Sequence, residues 1–432
     1  MNFTTVSLKP ATSPATSPVT SHVRWTICAL LFFATTINYL DRQVLSMLAK
    51  TLETSIGWTS IQYGYITGAF QAAYAIGLLA AGYVIDRVGT RKGYSIAVSV
   101  WSLAAIAHAA ATSAFTFGIA RAFLGLGEAP NFPACVKTVA EWFPKKERAL
   151  AFGILNAGTN IGPVIAPLTV PWLAVTYGWQ TAFIATGAIG FVWLIFWLLL
   201  YHKPEAHPRI SAAELAYIQS DPADPAGTVA WSRLIPRPET WAFALGKFLT
   251  DPVWWFYLFW LPKYLQEKFG LSLLQIIVPT LVVYNAASIG SVGGGWLSST
   301  LIKRGFTINR ARKTAMLICA LCILPVLYAP FSTNLWLVVT LISLATSAHQ
   351  GWSANLFTLS SDMFPRTAVA SVVGIGATAG AIGGVLMQIT AGYVVQLTNS
   401  YLPLFSFSGV AYIAALGIIN ALSPRLEPAR VG

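Results

Sequence analysis

Apolar segments of roughly twenty residues recur along almost the whole chain, and no other feature constrains its fold as strongly. An α-helix rises 1.5 Å per residue, so a segment of this length crosses a hydrocarbon layer of about 30 Å. Backbone groups in that layer must bond within the protein, which allows only helices or closed barrels, and these segments have helix length. With 56% hydrophobic and 10% charged residues, the chain cannot cover a water-exposed surface.

One long polar stretch, residues 202–240, divides the apolar segments into two sets of six. The sequence therefore predicts an all-α membrane protein with twelve transmembrane helices, in six-helix bundles over residues 25–201 and 241–422. We interpret residues 202–240 as a cytoplasmic linker, residues 1–24 as a disordered cytoplasmic tail and residues 423–432 as a second cytoplasmic tail. The predicted spans cover residues 25–45, 61–85, 93–111, 114–136, 149–174 and 179–201, then 241–262, 272–302, 314–330, 334–358, 367–393 and 401–422.

The basic residues behind the formal net charge of +12 are unevenly distributed. If both termini lie in the cytoplasm, 21 of the 27 Lys and Arg residues fall on the cytoplasmic side of the predicted spans. Cytoplasmic loops of membrane proteins carry this excess, so the pattern indicates the orientation and explains the charge without a nucleic-acid partner. We expect a multi-pass protein of the inner (plasma) membrane, embedded in the lipid bilayer, with both termini cytoplasmic.

An internal repeat relates the two halves at an offset of 221 residues. The sequence EWFPK at residues 141–145 reappears as DMFPR at residues 362–366, and GI at residues 153–154 reappears at residues 374–375. Such duplication is typical of transporters whose substrate site lies near the membrane midplane, where the two repeats face each other. We therefore expect the functional residues where the two halves meet.

Several motifs make the chain resemble a known family. GYVIDRVGTRK, residues 82–92, lies between the second and third spans and resembles the loop motif of the major facilitator superfamily. NYLDR at residues 38–42, RAFLGLGEAPNFPA at residues 121–134 and EWFPKKERALAFG at residues 141–153 resemble the anion:cation symporters of that superfamily. AHQGWSANLFTLSSDMFP, residues 348–365, is most similar to the hexuronate transporters, which carry glucuronate and galacturonate with protons.

This resemblance implies a secondary active transporter, a monomer that moves a hexuronate anion with H⁺ by alternating access. Such a protein is driven by the proton gradient and needs no cofactor or metal. The nearest alternative is a symporter of another organic anion, such as an aldonate, glucarate or a dicarboxylate, and an alternative from a different class is a non-transporting membrane sensor. An enzyme is disfavoured, because the sequence shows no nucleophile and base motif, metal-ligand set or phosphate loop.

Charged residues inside a span are functional candidates, because each costs about 2.5 to 3.5 kcal/mol at mid-membrane. Arg121 and Glu128 lie two turns apart on the fourth span and face nearly the same side. Asp41 and Arg42 are neighbours on the first span, with Asp41 expected nearer the outside and Glu128 nearer the middle. We predict that Asp41 and Glu128 couple to protons and that Arg42 and Arg121 bind the substrate carboxylate, and the resemblance implies the same roles.

The second half offers hydrogen-bonding and aromatic groups in place of a second proton-binding carboxylate. The repeat maps Glu128 onto His349 and Arg42 onto Lys263. Such groups suit a polyhydroxylated sugar acid better than an inorganic anion, and Tyr74 and Asn160 are added because similar positions hold substrate in relatives. Beyond the two arginines, the predicted substrate-binding residues are Tyr39, Tyr74, Asn160, Lys263, His349, Gln350, Trp352 and Asn355.

The motif between the second and third spans predicts a conformational latch. Its charged residues lie at the expected cytoplasmic ends of helices, where they can pair with helix termini and with charged neighbours across the two halves. The predicted latch residues are Gly82, Asp86, Arg87, Gly89 and Arg91.

Some of these charged residues also admit purely structural interpretations. Arg121 and Glu128 could form a static buried ion pair, and Asp41 could cap a helix turn near the outer surface. Lys247 and Asp251, spaced i and i+4 on the seventh span, are predicted to pair along one helix, and we favour a structural role for them over a functional one.

Overall fold

The computed structural model describes residues 21–221, 231–427 and 429, and within these ranges the chain is helical without a β-strand. The predicted disordered tail of residues 1–24 falls mostly outside them, and the first helix has already begun at Val23. The helices are α1 (Val23–Ile56), α2 (Ser60–Val88), α3 (Thr90–Ala107), α4 (Ala114–Glu128), α5 (Asn131–Trp142), α6 (Lys145–Tyr177), α7 (Trp179–Leu200), α8 (Ala212–Ile218), α9 (Trp231–Leu234), α10 (Pro238–Phe269), α11 (Ile277–Lys303), α12 (Ile308–Ile323), α13 (Leu335–Met363), α14 (Arg366–Thr398) and α15 (Leu402–Leu422).

These helices form the two predicted sets of six crossing segments. The first half contains α1, α2, α3, α4 joined to α5, α6 and α7, and the second half contains α10 to α15, with α8 and α9 in the linker between them. In the described part of the chain, nine helices are long and apolar enough to cross a membrane by length and composition alone. The other crossing segments are the α4–α5 pair, α10 and α13, which carry many of the predicted site residues. The predicted all-α, twelve-helix architecture is confirmed.

The fourth predicted span, residues 114–136, consists of two helices. α4 ends at Glu128 and α5 begins at Asn131, with Pro130 at the N-cap of α5. Proline has no backbone N–H to donate and its ring clashes with the preceding turn, so a break at this point follows from its chemistry. The break leaves Glu128 at the very end of α4.

The two halves contact each other through helix ends far from the linker, which we call the closed end. The hydroxyl of Ser46 on α1 donates to the carbonyl oxygen of Leu258 on α10 at 2.8 Å. The Tyr63 hydroxyl on α2 donates to the carbonyl oxygen of Phe259 at 2.6 Å. Pro262 lies inside α10 and has no N–H, so the Leu258 carbonyl lacks its usual partner four residues later in the helix. A side chain of the first half thus bonds a carbonyl that a proline leaves unpaired.

At the same end, α2 and α14 approach so closely that only glycine fits between them. A Cβ on Gly64 would lie 2.6 Å from the carbonyl oxygen of Gln388, and a Cβ on Gly392 would lie 2.7 Å from the carbonyl oxygen of Ser60. Both distances are below normal van der Waals contact, so a larger residue at either position would push the helices apart. These glycines let the two halves pack backbone against backbone at the closed end.

A buried carboxylate on α8 makes several of the hydrogen bonds that attach the linker to the first half. Ser211 caps α8 by accepting a hydrogen bond from the backbone N–H of Glu214 at 3.1 Å. The Glu214 carboxylate is fully buried, and it accepts from the Ser21 hydroxyl at 2.5 Å and from the Arg24 guanidinium at 2.9 Å. It also accepts from the backbone N–H groups of Val23 and Arg24, each at 3.2 Å. These are donors that the first turn of α1 cannot pair within its own helix.

Glu214 should make the folded protein more stable at neutral than at acidic pH. Burial alone would raise the pKa of Glu214, but the hydrogen bonds from Ser21 and Arg24 outweigh it and lower the pKa below the ordinary 4.5. A lowered carboxyl pKa stabilises the fold fully above the ordinary value, and this contribution is lost as the pH falls through the folded-state pKa. We expect Glu214→Gln to cost about 1 to 3 kcal/mol of unfolding free energy near neutral pH.

Thermal unfolding in detergent at about pH 7 and about pH 4 measures this effect, and the melting temperatures of variant and wild type should converge at the lower pH. Glu205→Gln, which changes an exposed carboxylate of the same linker, is the matched control and should leave the melting temperature unchanged. An equal loss for both variants, or a difference that persists in acid, would contradict this role for Glu214.

Candidate functional site

An ion pair between α1 and α4 lies at the centre of the first half. Arg42 Nε donates to Glu128 Oε2 at 2.5 Å, and neither side chain is more than 1% exposed. Arg42 Nη2 also donates to the Asn38 side-chain oxygen at 3.0 Å, and Arg121 Nη2 donates to the carbonyl oxygen of Arg42 at 3.0 Å. The structure thus brings the predicted charged residues together, and Glu128 pairs with Arg42 on another helix instead of with Arg121 on its own.

Several charged atoms of this cluster have no hydrogen-bond partner among the described residues. They are both carboxylate oxygens of Asp41, Nε and Nη1 of Arg121, Nη1 of Arg42 and Oε1 of Glu128. A buried polar group without a partner costs free energy, so such groups persist where function requires them to change partners. The cluster can therefore accept a proton or an anion without first breaking a complete set of hydrogen bonds.

The position of Asp41 differs from the prediction. α1 continues beyond Asp41 to Ile56, about four further turns, so Asp41 lies in the middle of a helix and caps none. Glu128 bonds the residue next to Asp41, so the two carboxylates lie at similar depths and the expected outer position of Asp41 is not seen. The sequence underestimated the length of α1, because its last turns are less apolar than the rest.

Aromatic rings enclose the guanidinium of Arg42. Its central carbon lies 4.4 Å from the ring centre of Tyr39, 4.6 Å from that of Tyr74 and 5.3 Å from that of Phe70. Trp255 of the second half completes the enclosure at 5.7 Å. Ring faces attract a cation, and a planar guanidinium also stacks on them, so these rings hold Arg42 in place. Tyr39 and Tyr74 were predicted at the site, and Trp255 was not.

In the second half, two predicted residues belong to one aromatic cluster. His349 Nδ1 lies 2.6 Å from the Tyr412 hydroxyl oxygen, and the imidazole stacks on Trp254 with ring centres 5.4 Å apart. Trp352 is fully buried and meets the same tyrosine edge to face at 5.3 Å. The structure therefore places His349 and Trp352 against α10 and α15, packed within the second half.

Lys263 lies at the closed end and does not join the cluster around Arg42. Its ammonium lies 3.0 Å from the Glu53 carboxylate, donates to the Ser60 hydroxyl at 2.7 Å and lies 3.6 Å from the Glu267 carboxylate. Lys50 lies 3.6 Å from Glu267 as well, so the four charged residues form one group across the two halves. We name Lys50, Glu53, Lys263 and Glu267 the closed-end cluster. The structure thus places Lys263 in this cluster and apart from Arg42, and its predicted substrate contact stays a prediction.

The remaining predicted binding residues differ in their surroundings. The Asn355 amide donates to the carbonyl oxygens of Gly294 at 3.0 Å and Gly351 at 2.9 Å, so it bonds α13 to α11. Asn160 on α6 and Gln350 on α13 are partly exposed. The contacts of Asn355 indicate a structural role, whereas the exposure of Asn160 and Gln350 leaves their side chains accessible.

The predicted latch residues bond within the first half. Asp86 forms an ion pair with Lys137 of α5 at 2.7 Å. The Arg91 guanidinium donates to the carbonyl oxygen of Leu198 on α7. Pairing across the two halves, which the sequence suggested, is not seen for these residues in the described part of the chain. In this conformation they connect α2, α3, α5 and α7 of one half.

Sequence reasoning missed two buried glutamines where the halves meet. The Gln43 side-chain oxygen accepts from the Tyr284 hydroxyl of the second half at 3.4 Å. Gln71 lies 1% exposed beside Gly384, whose Cβ position would be 3.0 Å from the Gln71 amide nitrogen and 3.1 Å from Trp255. An uncharged amide inside an apolar span is a signal that could have identified both residues. Both lie on α1 or α2, the helices that carry Arg42 and its aromatic enclosure.

Comparison with known families identifies the chain. The model of the Major Facilitator Superfamily matches residues 31–388. The chain belongs to the major facilitator superfamily. It is 32% identical over 407 residues to the hexuronate transporter of Escherichia coli (strain K12), covering 93% of each chain. It is 30% identical over 415 residues to the D-galactonate transporter of Escherichia coli O6:H1, covering 93% of this chain and 94% of that one. The resemblance to hexuronate transporters is confirmed, and this member of the superfamily is a membrane transporter, not an enzyme.

A solved structure has the same fold. A bacterial homolog of the human lysosomal transporter Spinster, in an inward-facing and unoccupied conformation, superposes with a TM-score of 0.70. The two chains share 18% sequence identity, and the match covers 94% of this chain and 96% of the other. The chain and that transporter therefore share one fold, in which two six-helix halves pack together.

The closed-end cluster should hold the two halves together, and its loss should open that end. Lys263→Met removes a buried ammonium that bonds Glu53 and Ser60 of the first half, leaving the two carboxylates of the cluster with Lys50 as their one shared cation. Tyr65 and Tyr393 can report on the distance between the two halves at the closed end, because Tyr65 belongs to one half and Tyr393 to the other and their exposed hydroxyls lie 2.8 Å apart.

Double electron–electron resonance would measure the distance between spin labels attached at Tyr65→Cys and Tyr393→Cys, in a background without the four native cysteines. We expect Lys263→Met to add a longer distance population. Lys268→Met is the matched control, because Lys268 bonds the carbonyl oxygens of Ala329 and Pro330 within its own half. An unchanged distance distribution in Lys263→Met would show that the closed-end cluster does not hold the halves together.

Proposed function

We propose that this member of the major facilitator superfamily is a proton-coupled symporter of a sugar-acid anion that works by alternating access. The observation that carries the proposal is the buried Arg42–Glu128 ion pair at 2.5 Å, beside an Asp41 carboxylate without a hydrogen-bond partner among the described residues. While Glu128 neutralises Arg42, the Arg42 guanidinium cannot bind a substrate anion. Protonation of Glu128 frees the guanidinium, so that proton binding and anion binding are coupled.

The coupling follows from competition for one guanidinium. With Glu128 ionised, its carboxylate occupies Arg42, and a substrate carboxylate would have to displace it. A proton on Glu128 removes the competing charge, and the planar fork of Arg42 can then bind the substrate carboxylate through two parallel hydrogen bonds. By linkage, the proton increases affinity for the anion to the same extent as the anion increases affinity for the proton.

Asp41 and Arg121 complete this scheme. Their unpartnered oxygens and nitrogens lie in the same buried cluster, so Asp41 is assigned as a second proton site. Arg121 bonds the carbonyl oxygen of Arg42 and is assigned to hold that part of α1 in place. These assignments need no metal or organic cofactor, and the described residues contain no group of three His, Cys, Asp or Glu side chains arranged to hold a metal ion. The proton gradient is the proposed driving force.

The proposed substrate is a hexuronate such as galacturonate or glucuronate. Support comes from the similarity to the hexuronate transporter of Escherichia coli, and from the tyrosine and tryptophan rings around Arg42, which can pack against a sugar ring. The partly exposed amides of Asn160 and Gln350 are available to sugar hydroxyls. The alternative is another organic anion, such as an aldonate or glucarate, and the chain is about equally similar to the D-galactonate transporter and to a probable galactarate/D-glucarate transporter of Bacillus subtilis, each at 30% identity.

We further infer that the linker end faces the cytoplasm. The excess of Lys and Arg in the loops at that end supports this orientation by the positive-inside rule. The closed end then faces outward, and the structure corresponds to the inward-facing state of a monomeric transporter. In this assignment the latch residues Asp86, Arg87 and Arg91, with Gly82 and Gly89, pair across the halves only when the cytoplasmic end closes.

Proteoliposomes test proton coupling directly. An inward proton gradient should drive accumulation of labelled galacturonate, and uptake that ignores the gradient would contradict symport. Glu128→Gln removes the proton site while keeping the shape of the side chain, so we expect it to abolish gradient-driven accumulation while exchange of substrate across the membrane partly remains. Glu427→Gln, at an exposed carboxylate near the C-terminus, is the control and should behave as wild type. Accumulation that survives Glu128→Gln would move the coupling site to Asp41.

Arg42→Lys tests the carboxylate contact. Lysine keeps the positive charge but lacks the planar fork, so it cannot make two parallel hydrogen bonds to a carboxylate. We expect substrate affinity to fall by about tenfold or more, a loss of at least ~1.4 kcal/mol in binding free energy. Isothermal titration of galacturonate into detergent-solubilised protein measures this. An affinity within about twofold of wild type would assign the carboxylate contact to another residue.

A further inference from the structure

A second ion pair lies on α10, the helix that carries Trp255, and nothing in the coupling scheme uses it. Lys247 Nζ lies 2.8 Å from Asp251 Oδ2 on α10, which confirms the pairing predicted from their spacing. The Asp251 side chain is 20% exposed, whereas that of Lys247 is 6% exposed. Asp251 lies four residues before Trp255, so both project from one face of α10, and the Trp255 ring reaches Arg42. The pair thus lies about one turn, ~5.4 Å, along α10 from the enclosure of Arg42.

The surroundings of the pair hold both charges together. A Cβ on Gly380 of α14 would lie 2.2 Å from Asp251 Oδ2, and a Cβ on Gly376 would lie 3.2 Å from the Lys247 side chain. The Lys247 ammonium also lies 4.3 Å from the ring centre of Phe357 on α13. Because α13 and α14 pack against the pair from two sides, the ammonium has little freedom to leave Asp251 for another anion. The second half therefore presents a neutral pair, with its carboxylate as the more exposed member.

This arrangement limits the charge that the site can accept. Protonation of Glu128 releases the Arg42 guanidinium, and Arg121 beside it also has nitrogens without a hydrogen-bond partner among the described residues, so the cations available to a substrate lie in the first half. The other two lysines on α10 are occupied at the closed end, Lys263 by Glu53 and Glu267 and Lys268 by the carbonyl oxygens of Ala329 and Pro330. A sugar acid with carboxylates at both ends, bound to Arg42 through one of them, would bring the other toward Asp251. Like charges in a site of low dielectric repel each other, and no released cation in the second half offsets this.

We propose that the Lys247–Asp251 pair makes the transporter select sugar acids with one carboxylate over sugar acids with two, with Asp251 as the specificity-determining residue. This inference rests on the proposed transport of sugar acids, and within that class it favours uronates and aldonates and disfavours aldarates. The chemistry predicts a gain of function: without the Asp251 charge, Lys247 becomes an unpaired cation that attracts a second carboxylate.

The test compares galacturonate with galactarate, which has the same six carbon atoms and a carboxylate at each end, but cannot close into the sugar ring that galacturonate forms. Unlabelled galacturonate and galactarate compete for uptake of labelled galacturonate into proteoliposomes. In the wild type, galactarate should compete about tenfold less well than galacturonate. In Asp251→Asn, which keeps the size of the side chain, the ratio of the two inhibition constants should shift toward galactarate by about tenfold.

Two further variants separate charge from shape. Asp251→Asn combined with Lys247→Met removes both charges, so only the part of the gain for galactarate that comes from losing the Asp251 repulsion should remain. Lys247→Asp combined with Asp251→Lys places the ammonium at the more exposed position, and galactarate should compete better than in the wild type. A gain in Asp251→Asn with Lys247→Met as large as in Asp251→Asn alone would contradict attraction by the freed ammonium and overturn the proposal.

The outcomes distinguish this inference from the proposed function. A wild-type protein that takes up no sugar acid contradicts the proposed function itself. A wild type that takes up galacturonate while galactarate competes equally well overturns only the specificity assignment, and this comparison needs no variant to fold. Galacturonate uptake with an unchanged ratio in Asp251→Asn, in a variant that elutes as a single species of wild-type size, also overturns it.

Discussion

The buried ion pair between Arg42 and Glu128 is the interaction on which the rest of the site depends. Two charges removed from water require close geometry and supporting hydrogen bonds, and losing one partner would leave the other costly to bury. The surrounding structure supplies that geometry. A Cβ on Gly125 would lie 2.4 Å from the carbonyl oxygen of Phe70, so a glycine allows α4 to lie close to α2. Pro130 ends the helix just beyond Glu128. Aromatic rings from both halves then hold the guanidinium.

Much of the fold could be predicted from the sequence, because helix length and the position of the linker follow from apolar segments alone. The identity of the buried charges was equally accessible, since a charge in an apolar span is visible without a structure. Their ion-pair partners could not be predicted. Spacing on α4 relates Arg121 to Glu128, but only the packing of α1 against α4 shows that Glu128 pairs with Arg42. The repeat relates Arg42 to Lys263, whereas the residue of α10 that contacts Arg42 is Trp255, about two turns earlier in the helix.

The two halves share a fold but divide the chemistry between them. The first half holds the charges that can change partners, on α1 and α4, with unpartnered atoms in the same cluster. The second half holds groups that are already satisfied, such as His349 beside the Tyr412 hydroxyl and Lys247 beside Asp251. This asymmetry suits a carrier in which one half binds the proton and the anion while the other shapes the space available to the sugar.

The hydrogen bond from Ser46 to the Leu258 carbonyl has a consequence for mutational scanning. Its acceptor belongs to the main chain, and it is available because Pro262 cannot donate to it. Substitutions of the Leu258 side chain leave that acceptor in place, so a scan of residue 258 would report the packing of a fully buried leucine and not this contact between the halves. The residue that makes this contact possible is Pro262, four residues further along the chain, and its ring need not touch the other half.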